Sequence, residues 1–506
     1  MRVAIISVFI DYHRRGAHHR TTLQPQIGPL IAALLPDDAD IEVINDTWTD
    51  PDWSKAYDLV FLSCVHSDFD RARQMSHYYR MRGALTVLGG SMASSYPGKC
   101  LPYFDAVVVG DPEDTVPQIY SDARAGHLKR LYRSMGYRAD LVPTPRCELA
   151  IDQQIMPLAM EATRGCPYTC DFCALTGSGT RFKMQAVEKI VRDVKAIDAA
   201  LKAKGVSWLQ RQMILFYDNN LAGNLGHLRA LCDALEPLGL YWSTCLTFNV
   251  LTKPDLLKRM YDSGCRSVFV GLESFNPAAI SDFGKHQNRL SQVQKAFDCA
   301  RAEGIVVTAG LMLSPLHDDV AYIRSLPKLL KESGLHVPSF LCIESAIPGT
   351  PLFDRLAASK EPMFMPHTSL HDYNAYSLVI KPQKAKTHEF IDAYKEALLS
   401  IYCTSQRWGK LADDLPRLLR KGSWLAAGMD IGMTLATGTR VAPGRTYIPW
   451  SDVKPFETVP LTEADFRDEA HFRDVMAWTP VTDADGRPVP GWHGEQTVAF
   501  AGQNAA

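Results

Sequence analysis

Two series of short apolar segments alternate with longer amphipathic segments, and this alternation constrains the fold more than any other feature of the sequence. In the first 125 residues the apolar segments are apolar throughout, which is typical of strands buried on both faces. Such strands predict a parallel sheet covered by helices on each side. We therefore expect a Rossmann-like domain first. Its predicted strands span residues 3–9, 41–45, 59–64, 85–90 and 106–110.

The alternation resumes at residue 157 after a proline-bearing segment that has the composition of a linker. Six βα units in succession predict a parallel barrel or part of one, with its active site at the carboxyl ends of the strands. The predicted strands are 158–164, 212–218, 241–249, 267–274, 305–313 and 339–346.

The expected fold class is therefore α/β, with four successive regions. The Rossmann-like domain covers 1–130, the linker 131–156 and a partial (β/α)6 barrel 157–370. A mainly helical carboxyl-terminal region, 371–506, is expected to cap the substrate pocket.

Charge and hydropathy exclude several classes of partner. A formal net charge of −2 gives no reason to expect nucleic acid or an anionic membrane as the main partner. The apolar runs are shorter than the roughly 18 residues that span a bilayer, and no cleavable signal is recognisable at the start. The twelve cysteines are dispersed, as free thiols are, so we expect a cytoplasmic protein.

Three cysteines are the exception to that dispersal. Cys166, Cys170 and Cys173 follow the first predicted barrel strand in the run RGCPYTCDFC, with CxxxCxxC spacing. A structural zinc site uses four ligands, and this segment offers three. Three thiolates on an iron–sulfur cluster leave one iron open to a substrate or cofactor. On the residues alone, a zinc site with a distant fourth ligand remains an alternative.

This segment resembles the signature of the radical S-adenosylmethionine (radical SAM) superfamily, in which an aromatic residue precedes the last cysteine. Later runs, LFYDNN (215–220), VFVGLESFNP (268–277) and IPGTPLF (347–353), resemble family segments in the same order. The resemblance implies that the three cysteines hold a [4Fe-4S] cluster whose fourth iron is chelated by S-adenosylmethionine. The implied S-adenosylmethionine-binding residues are Phe172, Asp218, Asn219, Glu273 and Ser274, although helix capping is an alternative role for the polar ones.

A Rossmann-like domain before such a barrel resembles the cobalamin-binding class of the superfamily. In an open α/β sheet the ligand lies beyond the carboxyl ends of the strands, so the loops there are the expected cradle. The run DYHRRG (11–16) matches DxHxxG, which implies a histidine as lower axial ligand to cobalt; a solvated loop, or one that contacts phosphate or propionamide groups, is the alternative. The expected cobalamin-binding residues are His13, Ser63, Val65, Gly89, Gly90 and Gly110.

The resemblance implies cleavage of S-adenosylmethionine to a 5′-deoxyadenosyl radical and transfer of a methyl group from methylcobalamin. We expect C-methylation of an unactivated carbon in a small-molecule substrate such as a natural product, lipid or tetrapyrrole. An electron donor such as flavodoxin or ferredoxin is the expected partner. A radical SAM oxidative cyclase or rearrangement enzyme, similar to the anaerobic Mg-protoporphyrin monomethyl ester cyclase type, is the first alternative. A non-catalytic sensor that uses the cysteines for zinc is the second.

Overall fold

Two six-stranded parallel sheets, formed one after the other along the chain, carry the fold. The structure is a computed structural model. It describes residues 1–9, 25–48, 51–153, 156–365 and 370–438. Among these residues, no helix combines the length and apolar character needed to cross a membrane.

The first sheet has the strand order β2-β1-β3-β4-β5-β6, and all its pairings are parallel. Its strands are β1 (Arg2–Ser7), β2 (Asp40–Asn45), β3 (Leu59–Ser63), β4 (Leu85–Gly89), β5 (Ala106–Val109) and β6 (Leu131–Arg133). The helices of this region are α1 (Ile27–Leu34), α2 (Phe69–Met81), α3 (Ser91–Ser95), α4 (Pro97–Cys100) and α5 (Val116–Arg124). The five predicted strands are all present, and the edge strand β6 was not predicted.

Alternate residues of these strands are buried in two different cores, as expected for a sheet with helices on both faces. Ala4 and Leu62 belong to the core on the α2 side, whereas Val3 and Phe61 pack with residues of α1 and α5. The strand order reverses direction between β1 and β3, so the loops after these two strands flank the crevice in which doubly wound sheets bind ligands.

The second sheet has the order β14-β13-β12-β11-β10-β7, again with parallel pairings. The strands from residue 157 onward are β7 (Ala159–Met160), β8 (Thr163–Arg164), β9 (Lys183–Met184), β10 (Met213–Phe216), β11 (Tyr241–Thr247), β12 (Cys265–Glu273), β13 (Val306–Leu313) and β14 (Phe340–Ile343). Strands β8 and β9 form a separate antiparallel pair. Among the described residues β7 and β14 are the edges of this sheet, so the sheet does not close on itself.

The described helices from residue 157 onward lie between and after these strands, and those that pack in the core around Leu311 and Leu341 cover the outer face of the second sheet. In chain order, the described helices are α6 (Ala174–Gly177), α7 (Val187–Ala203), α8 (Trp208–Arg211), α9 (Leu225–Leu235), α10 (Pro254–Asp262), α11 (Pro277–Asp282), α12 (Val293–Ala302), α13 (Val320–Glu332), α14 (Pro351–Ala357), α15 (Thr387–Ile401), α16 (Thr404–Arg420) and α17 (Trp424–Ala436).

Period-two alternation gives the second sheet two different faces. Leu311 and Leu341 are buried in the core that also contains Leu326 of α13, so they lie on the outer face. Met312 and Phe340, one position away on β13 and β14, are only partly buried. We call the face that carries these partly buried side chains the inner face. It is the concave side on which a partial barrel binds its ligands.

One apolar core contains residues of the first sheet together with residues that follow the last strand of the second sheet, and it fixes the relative position of the two regions. Phe69 and Phe104 of the first region are buried in the same cluster as Leu352 and Phe353 of α14. Because α14 follows the last strand of the second sheet, this cluster places the carboxyl edge of that sheet against the first.

The helices α16 and α17 pack at the amino-terminal end of the second sheet. Leu418 and Ala426 enclose Val306, the first residue of β13. Nearby, the Arg301 guanidinium donates to Asp414 (Nε–Oδ1 2.5 Å) in a buried ion pair. These helices therefore lie at the end of the sheet opposite to the cysteines. Residues 439–506 of the region expected to cap the substrate pocket lie outside the described residues.

The segment 370–383 does lie at the carboxyl end of the second sheet. The Ala375 carbonyl accepts from the Ile343 N–H (2.8 Å), and the Pro315 carbonyl accepts from the Gln383 N–H (2.8 Å). Of the described residues beyond 370, these are the ones that extend the wall beside β14.

Candidate active site

The loop that carries the three cysteines begins at the carboxyl end of β7 and ends at α6. Cys170 is buried, and Cys166 and Cys173 are partly buried. The Cys173 carbonyl accepts from the Thr176 N–H (3.0 Å), which starts the helical turn of α6. On the other side, the Asp171 carbonyl accepts from the N–H of Leu352 (3.0 Å), so α14 holds the loop in place.

The three thiols of this loop suit an iron–sulfur cluster by their chemistry. Cysteine thiolates are the usual ligands of such clusters, and three of them leave one iron open to a further ligand. A structural zinc site uses four ligands, and this loop offers three cysteines. The donor set therefore fits a [4Fe-4S] cluster.

The LFYDNN segment after β10 supports the beginning of the cysteine loop. The Asp218 carboxylate accepts from the backbone N–H groups of Ala162 (3.1 Å) and Thr163 (2.5 Å) and from the Thr163 hydroxyl. Burial raises the pKa of Asp218 to about 7, although the hydrogen bonds from Thr163 and Ala162 lower it. Both carboxylate oxygens of Asp218 thus accept hydrogen bonds from the protein itself. The neighbouring residue, Asn219, is exposed.

Asn220 is a candidate site residue that the sequence interpretation missed. Its side chain is fully buried, and Nδ2 lies 3.7 Å from Cys166 Sγ. Its Oδ1 atom is buried without a hydrogen-bond partner. The signal was present in the sequence, because residues 218 and 220 of an extended chain point to the same side.

Glu273 ends β12 in a strained conformation and pairs with Lys285. Its φ of 71° lies in the left-handed region, at a register shift in the pairing of β12 with β13. The Lys285 ammonium donates to Glu273 (Nζ–Oε1 2.6 Å). Burial lowers the pKa of Lys285, but the Glu273 carboxylate outweighs burial and raises it. The Asn288 side-chain amide donates to the carbonyls of Gly271 (3.0 Å) and Leu272 (2.9 Å), so it also holds the end of β12 in place.

Ser274 and Phe172 make contacts within the protein. The Ser274 hydroxyl lies 2.9 Å from the hydroxyl of Tyr322, and the Tyr322 hydroxyl also accepts from the Phe275 N–H (3.0 Å). The Phe172 ring packs edge-on against Phe283 with 5.4 Å between ring centroids. Phe172 therefore packs the cysteine loop against Phe283, which follows α11, and Ser274 links the end of β12 to α13.

We expect the substitution Tyr322→Phe to lower the free energy of unfolding by about 1–2 kcal/mol, because it leaves the buried Ser274 hydroxyl and Phe275 N–H without this partner. Tyr137 is a matched control, because its hydroxyl is buried without a hydrogen-bond partner and Tyr137→Phe should cost little. Chemical denaturation of both variants measures the difference. Equal losses in the two would contradict the structural role of Tyr322.

The residues predicted to bind cobalamin lie at the carboxyl edge of the first sheet. Ser63 and Gly89 are register partners at the ends of β3 and β4. Val65 is 51% exposed just beyond β3. Gly90 has φ 97°, and a Cβ there would stand 2.4 Å from the Cys64 carbonyl oxygen, so only glycine fits.

The remaining predicted positions stand apart from these. Gly110, with φ 95°, follows β5, where an added Cβ would meet Ser134 at 3.0 Å. His13 lies outside the described residues. His66, which was not predicted, follows β3 close to the crevice. It is buried, its Nε2 atom has no hydrogen-bond partner among the described residues, and burial lowers its pKa to about 4.

Arg164, two residues before Cys166, connects the cysteine loop to the carboxyl edge of the first sheet. Its guanidinium pairs with Asp111 (2.7 Å) and Glu113 (2.7 Å), both in the loop after β5. It also pairs with Glu161 (2.5 Å) and lies over the ring of Tyr137, 4.5 Å from the ring centroid. The cysteine loop is thereby tied to a loop at the carboxyl edge of the first sheet.

A scan against family models matches residues 160–324 to the Radical SAM superfamily. This range contains the cysteine loop, the LFYDNN segment and the Glu273–Lys285 pair. Residues 160–324 therefore form a radical SAM domain, which confirms the resemblance inferred from the cysteine spacing.

Curated relatives extend the similarity beyond that domain. The chain is 25% identical over 385 residues to the bacteriochlorophyllide d C-8(2)-methyltransferase of Chlorobaculum tepidum, covering 74% of this chain and 84% of the relative. It is also 25% identical over 358 residues to the hopanoid C-2 methylase of Rhodopseudomonas palustris, covering 66% of this chain and 64% of that protein.

Solved structures share the fold over most of the chain. The cobalamin-dependent S-adenosylmethionine radical enzyme OxsB, with aqua-cobalamin and S-adenosylmethionine bound, superposes with a TM-score of 0.57 at 14% identity, covering 99% of this chain and 78% of OxsB. The radical S-adenosylmethionine methyltransferase TsrM from Kitasatospora setae, with cobalamin and a [4Fe-4S] cluster bound, gives 0.55 at 14% identity, covering 94% and 98%.

Proposed function

We propose that this chain is a cobalamin-dependent radical SAM C-methyltransferase that acts on an unactivated carbon of a largely apolar, polycyclic small molecule of the tetrapyrrole or hopanoid type. The observation that carries the proposal is that Arg164 ties the cysteine loop to the carboxyl edge of the first, doubly wound sheet. Two relatives are named as methylating enzymes, one for bacteriochlorophyllide d and one for hopanoids. These names support methyl transfer over the cyclase alternative.

In this proposal the regions keep the boundaries expected from the sequence: a cobalamin-binding Rossmann-like domain at 1–130, a linker at 131–156, a partial radical SAM barrel at 157–370 and a carboxyl-terminal region at 371–506. When bound, the cluster, S-adenosylmethionine and cobalamin supply an electron, hydrogen-atom abstraction and a methyl group, respectively. The chain's own residues bind and orient these groups and exclude water between the two sheets.

The three cysteines are the proposed ligands of the cluster, and Asn220 orients Cys166 through its side-chain amide. Glu273, Asn219 and Phe172 are proposed to contact S-adenosylmethionine. Asp218 and Ser274, whose polar atoms are already hydrogen-bonded, are proposed to position the neighbouring backbone.

For cobalamin, the proposed contacts are Ser63, Val65, Gly89 and Gly90 around the crevice, with Gly110 at its far side and His13 from the preceding loop. An added Cβ at Gly89 would meet no atom of the described residues within 4 Å, which supports a place for a ligand beside it. Reduced flavodoxin or ferredoxin is the proposed electron donor. Free thiols and a reduced cluster both suit the cytoplasm.

The test uses the full chain, reconstituted without oxygen with iron, sulfide and hydroxocobalamin. It is then incubated under strong reductant with methyl-labelled S-adenosylmethionine and either bacteriochlorophyllide d or a hopanoid hydrocarbon. We expect bound corrinoid, release of 5′-deoxyadenosine and a product heavier by one labelled methyl group. A product that has lost hydrogen while the label stays in methionine would establish the cyclase alternative instead.

A further inference from the structure

A buried carboxyl group, Glu344, stands on the inner face of the second sheet and has no role in the site described so far. Its N–H donates to the Leu313 carbonyl (2.8 Å), so the ladder between β13 and β14 continues for one more residue. Period-two alternation therefore places Glu344 on the same face as Phe340 and Cys342. The intervening Ile343 is buried in the core on the outer face.

One carboxyl oxygen of Glu344 is bonded and the other is not. The Ser314 hydroxyl donates to Oε2 (2.7 Å). Among the described residues, Oε1 makes no hydrogen bond, in a residue that is only 1% exposed. Oε1 is not one of the fully buried atoms without a partner, so a small group can still reach it. A polar atom in such surroundings is stabilised when a ligand or water pairs with it. The free oxygen therefore marks a place for a bound group.

The charges around Glu344 do not neutralise it. Three charged side chains face Glu344. Two are acids, Asp282 of α11 and Asp318 of the loop after β13, and one is a base, Arg355 of α14. Burial raises the pKa of Glu344 to about 8, with the Ser314 hydrogen bond acting in the opposite direction. At neutral pH the group is a carboxylic acid that has a proton to donate.

Glu344 also lies beside the cysteine loop. Arg355 pairs with Asp282 (3.1 Å) and reaches Asp171 of that loop (3.8 Å). The inner face nearby carries the rings of Phe269 and Phe340, which lie 5.4 Å apart between centroids. Glu344 and the charged groups around it thus lie at the rim of an aromatic surface, next to the proposed site of chemistry.

We propose that Glu344 is a substrate-positioning residue whose neutral carboxyl group donates a hydrogen bond, through its free oxygen, to a carbonyl acceptor on an otherwise apolar polycyclic substrate. This inference rests on the proposed function, because it assumes that the substrate binds against the inner face. It narrows the substrate class to molecules that carry such a carbonyl, for example a tetrapyrrole with a ring keto group, as opposed to a pure hydrocarbon.

The test compares Glu344→Gln, which keeps a neutral donor, with Glu344→Leu, which removes it. The probe is bacteriochlorophyllide d, and its dissociation constant is measured by absorbance titration of the reconstituted chain at pH 7 and pH 9. We expect Glu344→Leu to bind about tenfold more weakly at pH 7 and Glu344→Gln to bind like the unmodified chain.

The pH dependence separates donation by the acid from simple packing. Because the acid form predominates below pH 8 and the carboxylate above it, binding by the unmodified chain should weaken about tenfold between pH 7 and pH 9. Glu344→Gln should show no such change. Glu332→Gln, at an exposed residue of α13, is the matched control and should keep the pH profile of the unmodified chain.

Several outcomes would overturn the inference. Equal losses in the glutamine and leucine variants, unchanged binding in the leucine variant, or no binding of the tetrapyrrole by the unmodified chain each contradict it. A weaker affinity for S-adenosylmethionine with unchanged tetrapyrrole binding would assign Glu344 to the cofactor instead. Glu344-dependent binding without transfer of labelled methyl would leave this inference standing and remove the proposed methyltransferase activity.

Discussion

Replacing Cys170 with serine is expected to abolish release of 5′-deoxyadenosine and to lower the iron content of the reconstituted chain. Loss of a group that merely orients a metal ligand costs about 10–100-fold in metal affinity or activity, so the loss of a ligand itself should cost more than about 100-fold. Cys166→Ser and Cys173→Ser should behave in the same way, because the proposed cluster needs all three thiolates.

The measurements are iron and sulfide content, visible absorbance and 5′-deoxyadenosine under strong reductant. Cys299→Ser is the control, since Cys299 is also only partly buried but lies on α12, away from the cysteine loop. If a triad variant kept its absorbance and its deoxyadenosine release while only Cys299→Ser lost them, the assignment of the cluster to this loop would be wrong.

Replacing Lys285 with methionine is expected to lower the free energy of unfolding by about 3 kcal/mol. The side chains of Lys285 and Glu273 are 10% and 12% exposed, so the substitution leaves a largely buried carboxylate without its cation. The same substitution should also reduce 5′-deoxyadenosine release, because Glu273 loses the contact that holds it at the end of β12.

A double-mutant cycle with Glu273→Gln isolates the pair. We expect the double variant Glu273→Gln/Lys285→Met to recover most of the stability lost by Lys285→Met alone, because no unpaired charge remains. Lys328→Met is the control: Lys328 and Glu332 are 79% and 59% exposed, and breaking such a surface pair should cost less than about 1 kcal/mol. Purely additive losses in the cycle would show that the 2.6 Å contact contributes no coupling.

The predicted strands of both sheets are present because each is a run of apolar residues long enough to show its period. The strands that were not predicted, β6 and β9, are three and two residues long and have no readable period. The predicted strand 158–164 is divided into β7 and β8, of two residues each. The cysteine spacing was equally local, and the match of residues 160–324 to the radical SAM superfamily confirms what it indicated.

Prediction of individual site residues was less complete. The choice of Asp218 and Asn219 overlooked Asn220, whose amide is the one that reaches Cys166. The sequence pattern of α16 and α17 also did not show that their apolar residues pack around Val306, at the amino-terminal end of the second sheet. Neither outcome depends on local pattern alone, because each requires knowing which elements are neighbours.

The sequence by itself determined the succession of two parallel sheets and the loop that presents three thiols, since strand period and ligand spacing are properties of adjacent residues. Only the tertiary structure decided which polar groups meet: Asp218 with Thr163, Arg164 with Asp111, and Glu344 with Ser314. These partners are 30 to 55 residues apart in the chain. Strand order and register bring them together, and both are set by burial of apolar side chains throughout each sheet.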